Sequence, residues 1–275
     1  MEKTRQLDAD VFILDLEDSV APQAKDEARE QVRRFLEARA DDSQELVVRV
    51  NGLDTPWCEA DLLAIARLAP DAVLFPKINS AADVRRAEAL LRTSGAGPEQ
   101  RLWCTIETAL AILNLHPIAQ LAGDSAMSAW VIGTNDLVKE LHAAHTPERS
   151  PLLYALSSAV MAARAYGLVI LDGVHNDIAD EEGLARSCEQ ALALGFDGKT
   201  LIHPAQVALC NRVFSPDPQS VLQANKIIAA FALPENAGKG ALQIDGRMVE
   251  LLHAEAARDT LAIAAAIAAR EAARR

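Results

Sequence analysis

The stretch AVLFPKINSAADVRRAEALLRTSGAGPEQRLWCTIE, residues 72–107, decides the fold. It opens on a short apolar run, Ala72–Phe75, closed by Pro76 and Lys77. It continues through Ala81–Arg92, where apolar residues recur every three or four positions, and ends on a second apolar run, Leu102–Ile106, followed by Glu107. A short unbroken apolar run is the pattern of a strand buried on both faces, and the longer period is that of an amphipathic helix. Strand, helix and strand in succession make a crossover unit of a parallel sheet.

The same unit recurs outward in both directions. Val11–Leu16 and Leu46–Val50 precede it; Trp130–Ile132, Leu168–Leu171 and Lys199–Ile202 follow it, with Glu181–Leu194 as a second clear crossover helix. Seven such strands predict an α/β fold of the TIM (β/α)8 barrel type. A closed barrel needs eight, and the first run is preceded only by MEKTRQLDAD, which reads as the tail of a helix. The expectation is therefore a barrel lacking its first strand. After Pro216 the pattern changes. Asp217–Phe231 reads as one helix capped by Asp217, with Pro218 close behind. A Gly-rich turn over 236–240 leads to ALQIDGRMVE, a hairpin turning at Asp245–Gly246, and then to an Ala-rich helix over 252–275. The expected division is a barrel domain over 1–215 and a C-terminal helical lid or oligomerisation arm over 216–275.

Composition narrows the function. The chain has 275 residues, half of them hydrophobic, with 27 Lys plus Arg against 39 Asp plus Glu, a net charge of −12. That balance argues against nucleic-acid or anionic-membrane partners, which need clustered basic charge, and leaves room for one basic pocket holding a small anionic ligand. Cys58, Cys104, Cys188 and Cys210 form no C-x-x-C pair and no zinc-type cluster with histidine. With no signal-peptide pattern at the start and no apolar run long enough to span a bilayer, the expected setting is the reducing cytoplasm. G-x-G-x-x-G and Walker A patterns are absent, so nothing supports a dinucleotide or ATP enzyme.

Nearly every strand ends in polar side chains: Asp15, Glu17 and Asp18; Arg49 and Asn51; Lys77; Glu107; Asn135 and Asp136; Asp172; His203. In a barrel these ends form one mouth, where active sites sit. Glu107 and Asp136 end adjacent strands about 5 Å apart, close enough to share a cation, and hard oxygen ligands suit Mg²⁺; two solvated rim carboxylates are the alternative. Arg49, inside a Val-rich strand, reads either as a fork for a substrate carboxylate or enolate oxygen, or as a buried ion pair with Asp15 or Glu17. Glu17 and Asp18 read as groups behind the metal that orient its water. Lys77 reads as a carboxylate holder or the partner of a neighbour. Asp172, Asn176 and Asp177 in LDGVHNDI read as ligand-binding or loop-capping groups, Asn176 as loop-capping. His203 is expected to hydrogen-bond across the mouth.

These motifs, ILDLEDSVAPQAKDEAR, VVRVNG, LFPKI, TIETA, GTNDL, LDGVHNDI, GFDGKTLIHPAQ and GRMVE, stand in an order that resembles the HpcH/HpaI aldolase and citrate lyase β-subunit family over roughly residues 3–270. The resemblance implies a TIM barrel with a C-terminal lid, a homotrimer or homohexamer, and C–C bond chemistry on a CoA ester such as malyl-CoA or citryl-CoA. It implies Mg²⁺ on Glu107 and Asp136 and Arg49 on the oxygens of a CoA-ester substrate; from their places at the strand ends, Lys77 and Asp172 are expected beside Glu107 around that substrate. The mechanism implied is a retro-Claisen cleavage, its enolate stabilised by Arg49 and the metal. The family's opening R-S-x-L-x-x-P strand is absent, and Glu250 stands where lyases of this kind carry the aspartate that acts as acid/base. GTNDLVKEL and GRMVELLHAEAARDTL are similar to a subgroup that hydrolyses the malyl-CoA thioester, so hydrolysis is the alternative to C–C cleavage.

Overall fold

The computed structural model describes residues 7–39 and 44–273. The expected helix tail at the start of the chain falls largely on residues 1–6, outside the described residues. Two compact units make up the chain, Met1–Cys210 and Asn211–Arg275.

In the first unit, strands β1 (Val11–Asp15), β2 (Glu45–Arg49), β3 (Ala72–Phe75), β4 (Arg101–Ile106), β5 (Met127–Ile132), β6 (Val169–Asp172) and β7 (Gly198–Lys199) alternate with helices. These are α1 (Lys25–Glu37), α2 (Cys58–Ile65), α3 (Ala81–Thr93), α4 (Ala109–Leu113), α5 (Leu115–Ala119), α6 (Thr134–Glu140), α7 (Leu153–Tyr166) and α8 (Glu181–Leu194). All seven strands are parallel, and their order in the curled sheet is their order in the chain. The sheet stays open among the described residues, with β1 and β7 at its two edges. Helix ends follow local chemistry. Ser80 and Asp180 cap α3 and α8 by accepting from Asp83 N–H and Gly183 N–H, and α7 and α8 stop at Gly167 and Gly195, both left-handed.

The strands carry two buried faces. Val47, Ala72, Leu74, Trp103, Ala129 and Val131 form one cluster on the inner side, with Val11, Ile13 and Leu171 packed against it. The intervening residues, among them Val48, Val73, Phe75, Cys104, Trp130 and Ile170, are buried on the opposite side, beneath the helices. This two-sided burial is why the strands read as unbroken apolar runs. The last run is the exception: β7 has two residues where four were expected. The side chain of Gln206 accepts from Ile202 N–H and His203 N–H, which draws both out of the ladder into a capped turn.

Helix α9 (Val207–Phe214) crosses the boundary between the units. The second unit pairs α10 (Pro218–Ala232), capped by Asp217 as expected, with α11 (Leu251–Ala273). Between them lies the hairpin β8 (Ala241–Ile244) and β9 (Arg247–Glu250). Its turn residues Asp245 and Gly246 have φ of 50° and 78°, the left-handed pair that an Asp-Gly hairpin turn requires. Among the described residues no helix is long and apolar enough to cross a membrane.

Leu74 is 2% exposed at the centre of the inner cluster. Truncation there leaves a cavity between strands on both sides. Leu74→Ala is expected to lower unfolding stability by about 2–5 kcal/mol, read from urea titration.

Candidate active site

Asp15 and Arg49 are direct neighbours in the register of β1 and β2 and continue the inner face of Ile13 and Val47. Arg49 Nε donates to Asp15 Oδ1 at 2.7 Å and Nη2 to Oδ2 at 2.6 Å. Its Nη1 lies 3.1 Å from Glu17 Oε2 and 3.6 Å from Asp18 Oδ2. Of the two readings of Arg49, the ion pair is the one present: the two-pronged edge of the guanidinium is occupied by Asp15, and Nη1 is the edge turned to the other carboxylates. Burial alone would raise the Asp15 carboxyl, but the bonds and charge of Arg49 bring it from 3.8 down to about 2. Burial works against the Arg49 charge, and Asp15 outweighs it, so Arg49 titrates above its ordinary value.

Lys77 joins the same group. It takes a left-handed backbone with φ of 55°, uncommon for a residue with a side chain. In that conformation its N–H donates to Glu107 Oε1 at 2.8 Å while its Nζ donates to Glu17 Oε1 at 2.8 Å. Burial still pushes the Glu17 carboxyl up despite Lys77 and Arg49.

Glu107 directly follows β4 and is 2% exposed. Burial, then the nearby charges of Glu17 and Asp136, push its carboxyl up to about 7, against the opposing N–H and charge of Lys77. Gly133 packs onto it so closely that a Cβ there would overlap Glu107 Cβ and Oε2. Asp136 was expected at the end of a strand. It stands instead in the first turn of α6, because β5 ends at Ile132 and the helix begins two residues on at Thr134.

Among the described residues, Arg49 and Lys77 are the cations bonded or paired to Asp15, Glu17, Asp18 and Glu107, and Asp136 adds further negative charge beside Glu107. That arrangement fits a divalent cation, which would relieve the repulsion raising Glu107. No three His, Cys, Asp or Glu side chains among the described residues converge as a metal site. An ion here would take two carboxylates and complete its shell from water and ligand oxygens, as Mg²⁺ commonly does.

Other residues expected at the site are engaged in different contacts. Asp172 is fully buried and offers no free oxygen to a ligand. It continues the face of Ile170, away from the inner cluster. Both its oxygens accept from Arg149 Nη1 at 2.7 Å, and Oδ2 accepts from Lys199 Nζ at 2.6 Å. His203 does not bond across the mouth; it is exposed, and its Nδ1 accepts from Ala205 N–H to cap its own turn. Glu250 ends β9 in the second unit, where its N–H donates to His253 Nδ1. Asp177 caps its loop by accepting from Ala179 N–H.

Several supporting contacts carry no local sequence signal, although Asn51 itself closes a strand run. Lys25 Nζ donates to Leu16 O and Glu17 O at 2.8 Å each, anchoring the backbone that holds Glu17. Asn51 Nδ2 bridges Leu16 O and Asp61 Oδ2, while Arg29 Nε donates to Asp61 Oδ1 at 2.9 Å. Long or distant partners of this kind become visible only when the elements are assembled.

A curled parallel sheet that gathers carboxylates at the C-terminal ends of its strands is the layout of an α/β barrel enzyme. The chain belongs to the HpcH/HpaI aldolase/citrate lyase family, whose model matches residues 1–204. It is 46% identical over 269 residues to (3S)-malyl-CoA thioesterase of Cereibacter sphaeroides, covering 98% of this chain and 91% of that protein. It is 34% identical over 250 residues to citrate lyase subunit beta of Leuconostoc mesenteroides subsp. cremoris, covering 88% and 81%. Among solved structures, protein CitE from Mycobacterium tuberculosis in complex with magnesium, acetoacetate and coenzyme A matches with a TM-score of 0.76 at 30% identity, over 94% of this chain and 90% of that one.

The Asp15–Arg49 pair has a signature in pH. With a folded value of about 2 against 3.8, Asp15 contributes stability that is complete above its ordinary value and lost as pH falls through about 2. Asp15→Asn is expected to remove roughly 2 kcal/mol at neutral pH, with the gap to wild type closing between pH 4 and pH 2 in denaturant titrations. Gly133→Ala drives a methyl group into Glu107 and is expected to cost about 1–3 kcal/mol in the same assay.

Proposed function

We propose that this protein hydrolyses the CoA thioester of a short hydroxydicarboxylic acid of the malyl type. The observation that carries the proposal is the 46% identity, along nearly the whole chain, to enzymes that hydrolyse (3S)-malyl-CoA. Water oxygen attacks the thioester carbonyl, the C–S bond breaks, and the products are the free acid and CoA thiol. Glu107 and Asp136 would hold Mg²⁺, as the burial of Glu107 and the uncompensated charge of the two carboxylates suit, and the ion would supply Lewis-acid polarisation of substrate oxygens.

The chain's own groups do the rest. Arg49, kept charged and pinned on one edge by Asp15, presents Nη1 to developing negative charge on oxygen. Glu17, tied to Lys77 and Arg49, keeps both cations aimed at one place. Lys77, about half exposed, meets a carboxylate of the substrate. Glu250 takes the acid/base function that the family resemblance gives its position. In the same reading the protein works as a homotrimer or homohexamer in the cytoplasm, a setting that its four unpaired cysteines suit.

Cleavage of the C–C bond is the second reading. Identity of 34% to citrate lyase subunit beta favours it, and the same rim would serve an enolate.

The deciding assay mixes the protein with (3S)-malyl-CoA and Mg²⁺ and follows free thiol and glyoxylate together. Thiol with malate and no glyoxylate is expected. Glyoxylate without thiol would assign the C–C lyase, and neither product would overturn both readings. Glu107→Ala is expected to lower kcat/KM by at least about 100-fold.

A further inference from the structure

The loop between β6 and α8 touches the turn that carries Asp136 at two consecutive residues. Asn135 Nδ2 donates to Asn176 Oδ1 at 3.1 Å, and Asn176 Nδ2 donates back to Asn135 Oδ1 at 2.7 Å. Beside this pair, Gly173 approaches α6 so closely that a Cβ would lie 2.6 Å from both Ile132 O and Thr134 Oγ1. The root of the loop is clamped from behind. Lys199 Nζ donates to Gly173 O at 2.5 Å as well as to Asp172, whose oxygens also accept from Arg149. Asp172 and Lys199 side chains are both fully buried. A rigid ionic anchor therefore ends in an exposed amide pair, one residue away from Asp136.

We propose that Asn176 is a positioning residue for Asp136. Its amide pair with Asn135 holds the first turn of α6 where Asp136 and Glu107 face the same cation, and the Arg149–Asp172–Lys199 cluster is the fixed point it pulls against. The inference rests on the reading that Glu107 and Asp136 hold Mg²⁺.

The physical argument is one of order. Helix α6 has seven residues, and the first turn of so short a helix has little cooperative support of its own. Asp136 is partly exposed and acts on Glu107 through its charge, and among the described residues no hydrogen bond holds its carboxylate. An exposed amide pair adds little to global stability. It does remove conformational freedom that a metal ion would otherwise have to restrict on binding, and loss of such outer partners characteristically weakens metal affinity. Asn176, expected to cap its own loop, instead pairs with the first turn of α6.

The test titrates Mg²⁺ alone into the full chain by calorimetry, for wild type, Glu107→Ala, Asn135→Ala, Asn176→Ala and the double variant, with a thermal melt of each. Asn176→Ala and Asn135→Ala are each expected to weaken Mg²⁺ by about 10-fold with an unchanged melting temperature. The double variant is expected to be no weaker than either single one, because both break the same pair. Wild-type affinity in Asn176→Ala, or a double variant whose loss is the product of the two singles, would overturn the positioning role while leaving the metal reading intact. Wild-type binding that Glu107→Ala does not alter would overturn the metal reading, and the positioning role with it.

Discussion

A carboxylate buried among like charges is the constraint on which the rim of this protein depends. Glu107 has almost no contact with water, and its nearest charges include Glu17 and Asp136. Such a group either binds a proton or gathers positive charge around itself. The surroundings answer with one backbone N–H from Lys77 and a partial share of the Lys77 ammonium, while Arg49 is engaged by Asp15. The remaining imbalance is one that a bound cation would relieve.

The backbone has been shaped around that group. Lys77 adopts a left-handed conformation that lets one residue serve two carboxylates, Glu107 through its N–H and Glu17 through its side chain. Gly133 leaves out the one atom that would collide with Glu107. Lys25 ties down the carbonyls of Leu16 and Glu17, just beyond the end of β1. Strain, a missing side chain and a buried cation thus converge on a few atoms, a concentration of local irregularity typical of functional sites.

Most of the fold was legible in the chain because burial on both faces of the sheet writes each strand as an apolar run. Strand β7 escaped that rule because Ile202, apolar but exposed, sits in a turn organised by Gln206 four residues on. The rim residues Asp15, Arg49, Lys77 and Glu107 were legible because each closes or follows such a run. Asp172 was misread for a reason of parity. It follows Leu171, an inner residue, so the alternation of the strand turns it toward the helices, where Arg149 and Lys199 wait. Neither partner could be foreseen, since Arg149 lies 23 residues before Asp172 and Lys199 27 residues after it.

The order of the sheet also sets the order in which the site comes into being. Because every strand pairs with its neighbour in the chain, the five carboxylates and two cations of the rim all come from residues 15–136 and can meet once β1 to β5 and the start of α6 have formed. The loop and ionic anchor that steady Asp136 come from residues 149–199 and join afterwards. On a ribosome, where the chain emerges from its N-terminus, the acidic cluster would be assembled before the part that holds it in place. The nascent protein would then carry its charge repulsion for a time without its final restraint, and a cation in the surrounding solution would stabilise that half-built sheet in the same way that it would serve the finished one.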